Sequence, residues 1–215
     1  MSKDDEILSD SEPLGKVGPP SYPPTPVKTP PRSPEALESG DLSAFPSTKI
    51  DLDKVFCMAA KEFNLDRILL KAVATVESSL NPMAYRFEPK YWDRYLADNA
   101  DFNHMEPERA AASYGLMQIM YPTAVMFGFT GEPEELYEPV YNVMLGARII
   151  RLHINKITES TNVTFWPIDI ALARYNGGNR RNPGPDGKLR NIAYLKKVKQ
   201  AYWDLLGEGE HDCDD

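Results

Sequence analysis

Between Lys49 and Leu206 the chain repeats apolar stripes at helical spacing, separated by Gly, Pro and Asn, with few alternating β-branched runs. That pattern predicts an all-α fold. Asp51 or Asp53 is placed to cap a first helix with Leu52, Val55 and Ala59 inward, and Asn64 with Asp66 marks the following break. A second helix carries Leu70, Val73, Glu77 and Leu80 on one face and is expected to stop at Pro82. Pro122 suits the first turn of a short helix ending near Gly128, and Pro139 opens a helix with the stripe Val140, Val143, Ala147, Ile150 and Ile154. A last helix sets Tyr194, Val198, Ala201 and Leu205 on one face. Residues 83–112, rich in Asp, Tyr and Arg, read as short helices and loops.

Composition divides the 215 residues into three parts. Ten of the 19 prolines precede Thr48, so residues 1–48 are expected to form a disordered, partly polyproline-like arm, a spacer or a docking peptide. Residues 49–206 form the folded domain, and residues 207–215 an acidic disordered tail. The net charge of −8 sits mostly in the flanks: −4 in residues 1–48 and −5 in 207–215, leaving the middle at +1. The acidic pI of about 5.0 therefore says little about the domain's ligand. No basic stripe or nucleic-acid module appears, which argues against nucleic acid as a partner.

No apolar run is long enough to span a bilayer. The acidic start Met1-Ser2-Lys3-Asp4-Asp5-Glu6 does not resemble an export signal, so synthesis in the cytoplasm without a signal peptide is expected. Cys57 and Cys213 are too few for a disulfide scaffold, and Cys213 lies in a Gly/Asp/Glu tail whose ordering would be costly. Cys57 is expected to fill the core. His104, His153 and His211 are scattered, and no metal or cofactor is assigned.

Glu77 is the first chemical anomaly, because the spacing that buries Leu70, Val73 and Leu80 carries this carboxylate with them. Burial raises a carboxyl pKa, and a glutamic acid that keeps its proton near neutrality is what a general acid requires. Two plainer arrangements stay open: a Glu rotated to the rim of the stripe, or one paired with a buried Arg such as Arg86. The second signal is Ser113-Tyr114-Gly115-Leu116-Met117-Gln118-Ile119, where Gly allows close backbone approach and the Gln118 amide sits among apolar residues. The third is Ala171-Leu172-Ala173-Arg174-Tyr175-Asn176-Gly177-Gly178, a helix end that would hold a phenol and an amide at a fixed place, or simply a glycine C-cap.

In this order the segments resemble the soluble lytic transglycosylases, the peptidoglycan-cleaving relatives of goose-type lysozyme. The resemblance covers roughly residues 50–205. It rests on Val76-Glu77-Ser78-Ser79-Leu80-Asn81-Pro82, on Tyr114-Gly115-Leu116-Met117-Gln118-Ile119, on Asn142 with Gly146-Ala147, and on Arg174-Tyr175-Asn176-Gly177-Gly178 followed by Tyr194. It implies a lysozyme-like helical domain in which Glu77 is the single acid/base and Ser78 an orienting or substrate-contacting hydroxyl. Met117 and Gln118 would line the cleft, Tyr175 and Asn176 would contact glycan or Glu77, and Tyr194 matches the family's late tyrosine. Arg174 departs from the Ala that many relatives carry.

The resemblance also implies cleavage between N-acetylmuramic acid and N-acetylglucosamine with an intramolecular 1,6-anhydro product. A goose-type hydrolase is the enzymatic rival, with Asp93, Asp98 or Asp101 positioning water. A non-catalytic wall-binding or virion structural protein is the rival from another class. Glycan strands of peptidoglycan are the expected partner. Without an export signal, a bacteriophage particle or a specialised secretion machine would supply the route to the wall, with residues 1–48 as the tether.

Overall fold

The computed structural model describes residues 50–159, 166–177, 188–209 and 213. The arm at 1–48 and most of the tail lie outside the described residues.

Helix α1 (Leu52–Phe63) starts at Asp51, whose side chain accepts from the Lys54 amide, and ends on Asn64 in the left-handed region. Helix α2 (Arg67–Ser78) is capped by Asp66, whose carboxylate takes the amides of Ile68 and Leu69 at 2.7 and 3.1 Å. These bonds satisfy donors that a helix start otherwise leaves open. At the other end α2 stops earlier than its stripe predicts. Ser79 and Leu80 both adopt positive φ, and their amides close onto Thr75 and Ala74, so Leu80 packs on the core from outside the helix. The stop is made by backbone geometry before Pro82 is reached.

Residues 83–112 contain more than short helices and loops. A three-stranded antiparallel sheet is built from β1 (Tyr85–Phe87), β2 (Ala112–Tyr114) and β3 (Ile119–Met120), in that order, with Arg86 opposite Ser113 and Tyr114 opposite Ile119. Strands this short show no usable period, which is why the sequence reads as helix and loop there. Between β1 and β2 run α3 (Pro89–Tyr91), a π-helical turn (Trp92–Leu96) and α4 (Pro107–Ala110). They gather a small second cluster around Leu96, Phe102, Ala110 and Ala111. Arg109 ties this lobe to a 3-10 turn (Pro133–Tyr137), bonding both carboxylate oxygens of Glu134 at 2.7 Å and Glu132 at 2.8 Å.

The remaining helices are α5 (Tyr121–Met126), α6 (Pro139–Thr158), α7 (Pro167–Gly177) and α8 (Ile192–Gly207). Pro122 and Pro139 sit in first turns, as their fixed φ and missing donor allow. The main core is shared by α1, α2, the sheet and α6 to α8, with Phe56, Leu70, Val73, Leu116, Leu145 and Ile150 fully buried among them. Helix α8 lies along α2, and α7 and α1 both pack on α6. Arg151 on α6 donates to the carbonyls of Phe63 and Asn64, closing the end of α1.

One expectation is overturned outright. Cys57 is not a free core residue: it is half-buried on α1 and disulfide-bonded to Cys213, with the Cα atoms 5.6 Å apart. Gly207, the last residue of α8, leaves only a short stretch to reach Cys213, so ordering that single tail position costs less than composition suggests.

Candidate active site

Glu77 stands on the last turn of α2, where Val73 one turn earlier is fully buried and Ser79 turns the chain away. The side chain is half-buried, not sealed in the core. From α8, the Tyr194 hydroxyl donates to Glu77 Oε1 at 2.7 Å. Tyr194 is itself buried, and its ring packs in the main core. The late tyrosine is thus both core residue and hydrogen-bond partner of the acid.

Burial lifts the Glu77 pKa above its ordinary 4.5, against the opposing pull of the Tyr194 hydrogen bond and the Arg86 charge. Both effects of the neighbours favour the anion, yet loss of hydration outweighs them. Tyr194 and Tyr175 are pushed up as well, by burial first and then by the nearby Glu77 charge, so both phenols stay protonated donors. Among the described residues no second carboxylate acts on Glu77.

Arg86 is not the buried partner that one plain arrangement of Glu77 required. Its side chain is 61% exposed and its Nε forms an ion pair with Glu88 Oε1 at 2.7 Å, so it acts on Glu77 through its charge. Asp93, Asp98 and Asp101 are all exposed.

The turn from β2 to β3 is tied to the neighbourhood of Glu77 through Tyr175, whose hydroxyl donates to the turn and which feels the Glu77 charge. Gly115 has φ +73°, and a Cβ there would lie 2.5 Å from Asn142 Nδ2 and 2.6 Å from the Leu136 carbonyl, so only glycine fits. Asn142, fully buried on α6, donates to the carbonyls of Tyr114 and Leu136 at 2.9 and 2.8 Å and accepts the Met117 amide at 2.7 Å. One side chain therefore fixes the turn at three backbone groups. Gly146 on the same helix gives Met117 room, since a Cβ there would lie 2.8 Å from its Cε.

Met117 itself is fully buried, with its side chain packed against Gly146 of α6. Its carbonyl accepts from the Tyr175 hydroxyl at 2.8 Å. Tyr175 thereby braces the turn, and the direct hydrogen bond to Glu77 comes from Tyr194. Gln118, at φ +47°, donates its amide nitrogen to the carbonyls of Ala84 and Gly115 at 3.0 and 3.1 Å, and Oε1 takes part in neither bond. Ser78 Oγ donates back to the Ala74 carbonyl at 3.0 Å. Asn176 is exposed on the last turn of α7. Next to it, Gly177 lets Asn191 approach and donate to Ala173.

The arrangement offers a proton donor of raised pKa, held by a phenol and within the field of a cation. Sequence reasoning did not identify Arg86 as an exposed site residue or Asn142 as the hub of the turn. For Asn142 a signal was present, a polar residue within an apolar helical face. Among the described residues no group of three His, Cys, Asp or Glu could hold a metal ion, and no helix is long and apolar enough to cross a membrane.

Comparison with curated proteins and with solved structures returns no match. The family model described as "Transglycosylase SLT domain" matches residues 54–188, which include α2 with Glu77, the Gly115–Gln118 turn, Asn142 and Tyr175. The chain therefore belongs to the transglycosylase SLT domain family, whose members act as lytic transglycosylases on peptidoglycan.

Proposed function

We propose that the protein cleaves the β-1,4 bond between N-acetylmuramic acid and N-acetylglucosamine and leaves a 1,6-anhydro-N-acetylmuramic acid end. The observation that supports this most directly is the lone carboxyl of raised pKa, Glu77, fixed by the Tyr194 hydroxyl at 2.7 Å with no second carboxylate acting on it. Protonated Glu77 donates to the glycosidic oxygen as positive charge builds on the muramyl ring. The substrate's own acetamido group supports that charge in place of a second enzyme carboxylate. Glu77, now ionised and stabilised by Tyr194 and Arg86, next takes the proton of the muramyl 6-hydroxyl, which attacks the anomeric carbon. One proton is given and one taken, so Glu77 returns to its starting form and no water is consumed.

The intramolecular hydroxyl outruns water through effective concentration, worth ~7–11 kcal/mol when the geometry is right. Ser78, Gln118, Tyr175, Asn176 and Tyr194 are the residues we assign to shaping the site, with Met117 acting through its backbone. Mass spectrometry of digested peptidoglycan tests the reading, because the anhydro product is lighter by one water. Reducing ends that vanish on changing Asp93, Asp98 or Asp101 would instead establish a hydrolase, and absence of cleavage a non-catalytic wall binder.

For delivery we propose a virion or secretion assembly that holds the protein through residues 1–48, on the strength of that segment's proline-rich composition. Purified particles that contain the full chain, and lose it when residues 1–46 are deleted, would support the assignment. Particles lacking the protein would overturn it.

A further inference from the structure

Arg86 has more donors than the described residues use. It is the middle residue of β1, and the flanking Tyr85 and Phe87 turn to the other face, Tyr85 against Tyr114 at 5.6 Å between ring centroids and Phe87 onto the second cluster. Alternation along the strand puts Arg86 on the opposite face, where its charge is felt at Glu77. On its Nε side the guanidinium forms an ion pair with Glu88 Oε1 at 2.7 Å. The two Nη groups make no hydrogen bond among the described residues, although the side chain is 61% exposed at the edge of the site. Glu88 thus lies on the Nε side of the guanidinium, away from its two Nη groups.

A guanidinium edge with two parallel N–H groups matches a carboxylate better than any neutral sugar hydroxyl. In an intact peptidoglycan strand the sugars carry hydroxyl and acetamido groups, and the lactyl group of muramic acid is amide-linked, so the carboxylates lie on the peptide stem. We propose that Arg86 is a specificity-determining residue that binds a stem carboxylate of the muramyl unit while Glu77 acts on the neighbouring glycosidic oxygen. This rests on the peptidoglycan-cleaving reading above.

Two substrates test the proposal: soluble uncrosslinked glycan strands with free stem carboxylates, and the same strands with those carboxylates converted to amides. The full-length protein should prefer the free-carboxylate strands, with the difference in KM. In Arg86→Gln the preference collapses, with KM for the free-carboxylate strands rising about 10- to 100-fold, the range set by one charge-assisted pair. Arg86→Lys, which keeps charge but loses the fork, recovers part of it. Any effect that runs through the charge on Glu77 falls on both substrates alike and appears as a shifted pH profile, so a variant that keeps the wild-type preference overturns the proposal. If the wild-type protein cleaves neither strand, the cleavage reading fails separately. Binding titrations with the same two strands then decide on Arg86: loss of discrimination in Arg86→Gln supports it, and unchanged discrimination overturns it.

Discussion

Tyr194 and Glu77 are 117 residues apart in the chain and 2.7 Å apart in the fold, with the phenol donating to the carboxylate. A donor to the anion lowers a carboxyl pKa, so Tyr194→Phe moves the Glu77 pKa further up. The expected result is a basic limb of the pH–rate profile displaced to higher pH, with a lower kcat because the carboxyl loses its orientation. The retained ring should keep α8 seated. A profile superimposable on the wild type would remove Tyr194 from the site.

Glu77→Gln should abolish wall cleavage, a loss of at least ~10²–10⁴-fold because one group serves as both acid and base. Stability should move the other way. The folded pKa of Glu77 is raised above 4.5, so the wild-type protein is favoured below that value and loses this contribution as pH rises through the folded pKa. The variant carries no such penalty. Thermal melts should agree near pH 4 and separate at neutral pH, with the variant melting higher.

His153 imposes the opposite slope. It is 5% exposed on α6, and burial, followed by the charges of Arg174 and Lys156, lowers its pKa to about 4 from 6.5. A depressed histidine contributes stability that is complete above pH 6.5 and is lost as pH falls toward 4. The shift corresponds to roughly 3 kcal/mol at most. Replacing His153 with Phe should flatten the acid side of the stability profile while leaving the Glu77 separation at neutral pH in place. Denaturant titrations across that range on both single variants and on the double variant check the two slopes independently.

Asn142→Ala leaves two buried carbonyls and one buried amide without their side-chain partner, each worth ~1–3 kcal/mol. Gly115→Ala strains the same place from the other side, combining φ +73° with a Cβ 2.5 Å from Asn142 Nδ2. Chemical denaturation should show both variants destabilised by several kcal/mol, and the double variant by less than the sum because they share one contact.

The long helices were legible because their stripes run over several turns. Pro139 and Asp66 mark starts that the backbone uses, and the carboxyl of Glu77 stands out against Leu70 and Val73 on the same stripe. The sheet was not, since strands of two or three residues carry no period. Nor was the early stop of α2, which depends on two consecutive positive-φ residues, Ser79 and Leu80, neither of them glycine. The site divides in the same way. Tyr194 was placed by resemblance, but its bond to Glu77 requires α8 to lie along α2, a relationship between distant segments that local pattern does not contain. Met117 was expected to line the cleft, and its side chain is fully buried against Gly146, a contact with a distant helix that local pattern does not contain.

Breaking the Cys57–Cys213 bond frees a chain segment of 156 residues in the unfolded state. A loop of that size gives a loss of stability of about 2–5 kcal/mol on reduction. Melting curves with and without reductant, set beside a Cys57→Ser/Cys213→Ser double variant, measure it. The double variant should match the reduced wild type and show no response to reductant.

The same bond gives the molecule a memory. In a reducing cytosol thiol pairs of this kind stay open, and in an oxidising surrounding they close. The two forms differ by a pair of hydrogen atoms and nothing else, because both cysteines of the chain are used in the bond. Trapping thiols at the moment of sampling and weighing the intact chain would therefore tell which copies had met an oxidising surrounding.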